Sequence, residues 1–247
     1  MANQNAPVLV IGGTGHLGSS IAGSLVGMRQ PVRVLTRNAV RARQILGNEP
    51  ELVEGDLAPR AAVARSAVME ALDGARAVVI CVSAFSPKLI RQMKEIERDA
   101  VLTILDHARE AGISRLVYIS TYDIRQDVVD SLDFPIAQIK LEVETALRGS
   151  DLAWTVLGAA PSMDIFFAMI RGDRMIVPGG GPPALPTISR TDVGQIAAQT
   201  ALRGDLAGQR IRMVGPEAMS FPEAAERISA VWGKTICYRK IPLLPLR

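Results

Sequence analysis

Near its N-terminus the chain reads Val8-Leu9-Val10-Ile11-Gly12-Gly13-Thr14-Gly15-His16-Leu17-Gly18. The apolar run predicts a strand, the glycines a tight turn, and the residues that follow a helix. Gly12 permits the turn, Gly15 lets the backbone approach a pyrophosphate, and Gly18 lets the helix pack on the strand. A glycine triplet at a first strand–helix junction predicts a dinucleotide site, with a purely structural turn as the alternative. The predicted cofactor contacts in this turn are Gly12, Thr14, Gly15, His16, Leu17 and Gly18.

Outside the turn, short apolar runs alternate with segments of helical spacing. The predicted strands are residues 7–11, 31–35, 77–82, 116–119 and 152–157. Helical spacing lies between them, for example at Leu17, Ile21 and Leu25. Strands without polar alternation are buried on both faces, as in a parallel sheet covered by helices. The pattern predicts an α/β fold, a Rossmann doubly wound parallel sheet with right-handed crossovers.

No linker divides the chain cleanly. The glycine- and proline-rich residues 178–183 predict a loop, followed by a helix at 191–202, a strand at 209–214 and a helix at 220–232. Ser220 is a plausible N-cap of that last helix, and Gly233 ends it. We predict a single NAD(P)-binding Rossmann domain over 1–247. Its core covers about 7–160, and parts of 161–247 build a small C-terminal substrate lobe.

Composition narrows the class of protein. The net charge is only +3 and aromatic residues make up 4% of the 247 residues, which argues against direct nucleic-acid binding. No apolar run is long enough to cross a bilayer, and the first residues lack the pattern of a signal peptide. Two cysteines, Cys81 and Cys237, imply no disulfide framework. We therefore expect a cytoplasmic protein that does not bind membranes.

The end of the second strand predicts which cofactor is bound. An acidic residue about 20 positions beyond the glycine turn would bond the ribose 2′-hydroxyl of NAD. Thr36 and Arg37 occupy that place instead. A guanidinium suits a 2′-phosphate because it donates paired, charge-assisted hydrogen bonds. NADP(H) is therefore the predicted cofactor, with an ordinary surface arginine as the alternative.

The glycine turn, together with Gly55-Asp56-Leu57, resembles the atypical short-chain dehydrogenases of the NmrA-like group. Further matches cover nearly the whole chain: Ala71-Leu72-Asp73-Gly74, Lys140 to Glu144, Trp154-Thr155-Val156-Leu157, Asp192-Val193 and Gly215-Pro216-Glu217. The resemblance implies that Asp56 and Leu57 flank the adenine and that Val82 and Ser83 lie along a cofactor ribose. A turn or helix cap is the alternative for Asp56.

The resemblance also implies a lysine that holds the nicotinamide ribose, preceded by a tyrosine that transfers the substrate proton. Lys140 matches the lysine, but Ile136 stands four residues earlier. Isoleucine cannot transfer a proton, so the ordinary carbonyl–alcohol mechanism is in doubt at its central step. The alternative for Lys140 is a structural ion pair with Glu144, one helical turn on.

Two residues at the end of the fifth strand are further candidates. Ser120 lies near the family's serine and is a predicted cofactor contact. Tyr122 could donate a proton to substrate, with packing at the strand edge as the alternative. Tyr118 is expected in the core.

The segment after the sixth strand should pass near the nicotinamide. Ala160 and Pro161 are the predicted contacts there. Met163, Phe166 and Phe167 either line a substrate pocket or pack in the core.

No metal site is indicated. No Cys, His and Asp residues have the spacing of zinc ligands. The two histidines are His16, in the glycine turn, and His107, which we expect on an exposed helix face.

Two functions remain open. The first is an NADPH-dependent oxidoreductase that passes hydride to a small-molecule electrophile, such as a quinone or activated enone, that needs no tyrosine acid. The second is a non-catalytic redox sensor, in which NADP(H) binding biases a conformation or the binding of a protein partner. An isomerase or epimerase would need a catalytic base that the sequence does not reveal.

Overall fold

The computed structural model describes residues 5–57, 62–84, 89–113, 115–127 and 135–242. The chain divides into two compact units. The first comprises the chain up to Gly158 together with Arg190–Arg212. The second comprises Ala159–Ser189 and the chain from Met213 onward. Residues 190–212, which sequence reasoning placed in the lobe region, therefore belong to the larger unit.

The first unit is built around a parallel sheet with seven strands in the described residues. They are β1 (Val8–Ile11), β2 (Val32–Thr36), β3 (Glu51–Glu54), β4 (Ala77–Ile80), β5 (Arg115–Thr121), β6 (Ala153–Ala159) and β10 (Gln209–Met213). Their spatial order is β10-β6-β5-β4-β1-β2-β3. Strand order reverses where β1 lies between β2 and β4, and crevices for ligands form at such a switch point. The predicted Rossmann-type α/β fold is confirmed.

Helices cover this sheet. They are α1 (His16–Gly27), α2 (Ala39–Leu46), α3 (Ala62–Leu72), α4 (Ala100–Glu110), α5 (Pro135–Arg148) and α7 (Arg190–Ala201). Two irregular turns precede α4, a 3-10 turn at Ile90–Gln92 and a π-helical turn at Glu95–Asp99. A third short turn, Gly204–Leu206, follows α7.

The core of the first unit lies between the sheet and these helices. Every residue of β1 and β4 is buried, as expected for strands covered on both faces. Tyr118 in β5 is fully buried, as predicted. On one side α1 and α7 approach closely, because a Cβ placed at Gly194 would lie 2.6 Å from the carbonyl oxygen of Ser20. Glycine at this position lets the two helix backbones meet.

The second unit has its own small core. A three-stranded sheet contains β7 (Ile170–Arg171), β8 (Arg174–Pro178) and β12 (Cys237–Ile241), with β8 in the centre. Two residues in each of β9 (Leu185–Pro186) and β11 (Ala218–Met219) form an antiparallel pair. The helices are α6 (Asp164–Ala168) and α8 (Phe221–Trp232).

The ends of α8 are those predicted from sequence. Ser220 and Glu223 form a capping box, in which each side chain bonds the other's backbone N–H. Gly233 ends the helix with φ 62°, a left-handed conformation that favours glycine.

Candidate functional site

The glycine turn has a geometry that few other residues could adopt. Gly12 has φ 86°, and a Cβ there would overlap the carbonyl oxygen of Cys81, just beyond β4. A Cβ at Gly18 would overlap the carbonyl oxygen of Gly12. The turn is therefore pressed against β4 on one side and against the first turn of α1 on the other. Gly12 thus forms the tight turn, and the close approach at Gly18 is between the helix and this turn rather than between the helix and the strand.

The start of α1 is chemically suited to an anion. Gly15 is the N-cap, and its own N–H is bonded to the carbonyl of Gly12 at 2.9 Å. No side chain caps this end, and its first turn contains no acidic residue. Gly15 and His16 are exposed, while Thr14 and Leu17 are half-buried and Gly18 is buried. The N–H groups and the helix dipole at such an end favour a phosphate, so the residues present fit a pyrophosphate.

The end of β2 carries the residue predicted to select the cofactor. Arg37 is exposed. In the part of the chain that is described, its side chain forms no hydrogen bond or ion pair. Thr36 is buried with its hydroxyl 3.3 Å from the backbone of Asn38, and Asn38 caps α2. The Arg37 guanidinium is thus exposed at the end of β2, on a backbone that is held on both sides.

The residues after β3 lie beside the end of β2. The N–H of Gly55 donates to the carbonyl of Thr36 at 2.8 Å. Asp56 is exposed and Leu57 is half-buried against the main core. The predicted adenine-flanking residues therefore share one end of the sheet with Arg37.

The residues after β4 lie directly against the glycine turn. The N–H of Cys81 donates to the carbonyl of Ile11 at 2.9 Å. Val82 is buried, Ser83 is exposed and Ala84 is fully buried. Burial raises the pKa of the Cys81 thiol to about 12, so the thiol is a poor nucleophile near neutral pH.

Lys140 is buried in an ion pair. Its Nζ lies 2.9 Å from Glu97 Oε2, and the two side chains are 7% and 1% exposed. The same Nζ is 5.0 Å from the centre of the Tyr118 ring. Burial acts to lower the pKa of Lys140, but Tyr118 and Glu97 outweigh it and raise that pKa to about 12. Lys140 therefore stays charged, and its partner is Glu97 rather than Glu144.

Sequence reasoning missed Glu97. A signal for it was present, because Glu97 lies four residues after Met93 and four before Val101, both of which are buried. An acid on the inward stripe of a helical segment is rarely left without a partner.

Glu144 instead anchors the end of β5. It is fully buried, accepts a 2.6 Å hydrogen bond from the Ser120 hydroxyl, and pairs with Arg148 and Arg210. Tyr122 is half-buried, with the Arg212 guanidinium 5.7 Å from its ring centre. The Ser120 hydroxyl is thus committed to a neighbouring carboxylate.

Ile136 stands at the position where the family has its catalytic tyrosine, and its side chain makes apolar contacts. Ile136 is buried in a small cluster with Ala84, Met93 and Ile139. The cluster packs against the residues that follow β4, so Ile136 supports the fold there and supplies no proton.

The segment after β6 belongs to the second unit. Ala160 is buried and donates its N–H to the carbonyl of Met213 at 2.9 Å. Pro161 is exposed and accepts a hydrogen bond from the N–H of Ile188 at 3.1 Å. The backbone of both predicted nicotinamide contacts is held in place.

The apolar residues that follow divide between core and surface. Phe166 is buried and packs edge-on against Phe221, with ring centres 5.2 Å apart. Phe167 is 47% exposed and lies 6.0 Å from the Trp232 ring. Met163 is also exposed. Phe166 is therefore a core residue, while the other two remain on the surface of this unit.

The expectation that His107 is exposed is wrong. Only 7% of it is accessible, since α4 contacts both α3 and α5. Within the described ranges, no three His, Cys, Asp or Glu side chains could together hold a metal ion. Nor is any helix in those ranges long and apolar enough to cross a membrane.

The glycine turn lies inside a match to a known family. A family model described as NAD(P)H-binding matches residues 12–203, well over half of the chain. The chain belongs to this NAD(P)H-binding family. It therefore binds NAD(P)H, and its resemblance to the NmrA-like atypical short-chain dehydrogenases is confirmed.

Relatives of this NAD(P)H-binding chain include proteins of different activity. It is 28% identical over 153 residues to the photosystem II assembly factor Ycf39 of Trieres chinensis, covering 62% of this chain and 45% of that protein. It is 25% identical over 240 residues to the NAD(P)H azoreductase of Xenophilus azovorans, covering 96% and 77%. The chain thus spans less than half of the first relative and about three-quarters of the second.

The fold is shared with a solved reductase. An NADPH-dependent quinone oxidoreductase from Escherichia coli superposes with a TM-score of 0.73 at 18% identity, covering 95% of this chain and 78% of that one.

Proposed function

We propose that the protein is an NADPH-dependent oxidoreductase that reduces a small electrophile, such as a quinone or azo compound, without a tyrosine proton donor. The observation that carries this proposal is the pair of residues at the family's catalytic positions. Ile136 is apolar and buried, and Lys140 is engaged by Glu97. A substrate that needs a side-chain acid is not served by this arrangement.

Quinone reduction removes the need for such an acid. A quinone becomes a hydroquinone by taking up two electrons and two protons. A hydride from bound NADPH supplies both electrons and one proton, leaving NADP⁺. The second proton comes from water, because the reduced oxygen is basic. The protein then has to hold cofactor and substrate in the orientation that allows hydride transfer.

The cofactor contacts are assigned along one end of the sheet. The glycine turn and the start of α1 hold the pyrophosphate, and Arg37 bonds the 2′-phosphate, which gives the preference for NADPH over NADH. Asp56 and Leu57 flank the adenine, and Val82 and Ser83 line a ribose. Toward the nicotinamide the assigned contact is Ser120, and Lys140 is assigned an indirect role there, because its ammonium group is engaged by Glu97. Ala160 and Pro161 stay predictions made from the sequence. The proposed reaction needs no proton donor at Tyr122, which stays a candidate predicted from the sequence.

The first experiment measures cofactor binding. Calorimetric titration with NADPH and NADH compares wild type, Arg37→Ala and the control Arg109→Ala. Arg109 is a 61% exposed arginine near the C-terminal end of α4. Losing charge-assisted bonds to one phosphate costs about 1.5–3 kcal/mol, so Arg37→Ala should bind NADPH roughly ten- to hundredfold more weakly and NADH unchanged. If wild type binds NADPH and NADH with equal affinity, Arg37 does not select the cofactor through its 2′-phosphate.

The second experiment measures turnover. Absorbance of NADPH at about 340 nm is followed with benzoquinones, naphthoquinones and an azo dye as acceptors. NADPH oxidation that depends on both protein and acceptor supports the proposal. Binding of NADPH without turnover of any acceptor contradicts it.

That outcome would favour a second candidate, a non-catalytic NADP(H) sensor of NmrA type that acts through a protein partner. Ile136 in place of the tyrosine fits a sensor equally well, and one relative is named as an assembly factor rather than as an enzyme. Either function would be carried out in the cytoplasm.

A further inference from the structure

A buried carboxylate joins three elements behind the cofactor end of the sheet. Glu97 Oε2 forms an ion pair with Lys140 Nζ, on α5, at a distance of 2.9 Å. Its other oxygen, Oε1, accepts a 2.6 Å hydrogen bond from the backbone N–H of Ala84. Glu97 itself lies in the π-helical turn before α4. One side chain thus connects this turn, α5 and the segment that leaves β4.

The segment that leaves β4 is held at both of its ends. At one end, the N–H of Cys81 bonds Ile11, and the Cys81 carbonyl lies against Gly12. At the other end, the N–H of Ala84 bonds Glu97. Val82 and Ser83 lie between these two fixed points. The position of both residues relative to the glycine turn therefore depends on Glu97.

The presence of the Glu97–Lys140 ion pair is not explained by a contribution to the free energy of unfolding. Replacing a buried ion pair by apolar residues of similar size is often neutral or stabilising, because both charges must leave water. The effect of the Glu97 carboxylate on the position of the backbone is stronger, because a charge-assisted hydrogen bond to a backbone N–H is short and directional. π-Helical turns also occur frequently at functional sites.

We propose that Glu97 and Lys140 are positioning residues of the cofactor site: the ion pair orients the Glu97 carboxylate, and the carboxylate fixes residues 82–84 beside the glycine turn. Lys140 then acts through Glu97 without touching the cofactor. The inference rests on the proposed function in one respect, that Val82 and Ser83 line a cofactor ribose.

Two double variants separate the hydrogen bond from the charges. Glu97→Gln/Lys140→Met removes both charges but keeps an oxygen that can accept from Ala84. Glu97→Leu/Lys140→Met removes both charges and the acceptor, with side chains of similar size. We expect the first to bind NADPH within about threefold of wild type and the second to bind it at least tenfold more weakly. If the second variant binds NADPH as tightly as the first, the inference is overturned.

A measurement on wild type tests the same idea without relying on either variant to fold. Hydrogen exchange of the Ala84 amide is followed by NMR in the cofactor-free protein, with the amides of β5 as the reference. We expect Ala84 to be protected nearly as strongly as β5 before any NADPH is added. Free exchange of Ala84 beside a protected β5 would show that the segment is not held, and would overturn the inference.

These readouts keep the two proposals apart. Weak NADPH binding by wild type would contradict the proposed function while Ala84 protection is still measured. Tight NADPH binding with an unprotected Ala84 would contradict only the positioning role.

Discussion

Two glycines on the same helix should respond oppositely to the same substitution. Alanine at an interior helix position gains about 1 kcal/mol over glycine. A Cβ at Gly23 would meet nothing within 4 Å, so Gly23→Ala should realise most of this gain. For a chain of this size the thermal midpoint should rise by about 2–4 °C. Gly23→Ala is the matched control for Gly18→Ala.

At Gly18 the same methyl group overlaps the Gly12 carbonyl oxygen at less than 3.0 Å, a separation that real Cβ atoms essentially never show. Overpacking of this kind costs about 1–3 kcal/mol, which cancels or exceeds the helical gain. To relieve it, the first turn of α1 must move away from the glycine turn. The N–H groups that we propose hold the pyrophosphate then lose their alignment.

Binding should reveal this movement more sharply than stability does. Loss of one charge-assisted hydrogen bond costs about 1.5–3 kcal/mol, which weakens Kd roughly ten- to hundredfold. Calorimetric titration with NADPH and a thermal melt are measured for Gly18→Ala and Gly23→Ala in parallel. If Gly18→Ala melts as high as Gly23→Ala and binds NADPH like wild type, the close packing of helix and turn is not what holds the cofactor.

Two further predictions concern single side chains. At pH 8 a thiol reagent should label the exposed Cys237 much faster than the half-buried Cys81 in the folded protein, since burial raises the Cys81 pKa to about 12; equally rapid labelling of both would contradict this. Ser220→Ala should lower the thermal midpoint by about 2–4 °C through loss of the helix cap. The backbone N–H of Ser220 and, secondly, its hydroxyl donate to the Glu223 carboxylate and lower the pKa of that carboxyl. Ser220→Ala removes only the hydroxyl, so the hydroxyl's share of the wild-type advantage is present above the unfolded-state pKa of the carboxyl and is lost as pH falls through the folded-state pKa. An effect of Ser220→Ala that is independent of pH would show that the bond between hydroxyl and carboxylate takes no part.

The parts of the site that sequence could predict are those set by local backbone geometry. Gly12 must be glycine because its φ of 86° and its contact with Cys81 allow no side chain. Such requirements appear as a fixed glycine spacing beside a strand. The fold class followed similarly, because strands buried on both faces carry unbroken apolar runs.

Long-range polar pairings could not be predicted in the same way. Lys140 had one visible partner, Glu144, a helical turn away, yet it pairs with Glu97 from a different element. Glu144 is taken by Ser120 and two arginines. Which acid reaches which base depends on how helices pack, and helical periodicity does not encode that.

Which of the two units residues 190–212 belong to also depends on how helices pack, so the sequence did not reveal it. Their periodicity predicts a helix and a strand but not the surface that these elements cover. Contact between Gly194 and the backbone of Ser20 places the helix in the first unit.

That contact has a consequence for synthesis of the chain. Ser20 and Gly194 are 174 positions apart, so the surface of α1 that α7 covers stays bare until α7 has left the ribosome. At about 5–20 residues per second this takes roughly 10–35 s. During that interval this face of α1 is available to chaperones and to other nascent chains. The larger unit can complete its folding only after the first segment of the smaller one has been made, and contacts so distant in sequence slow that final step.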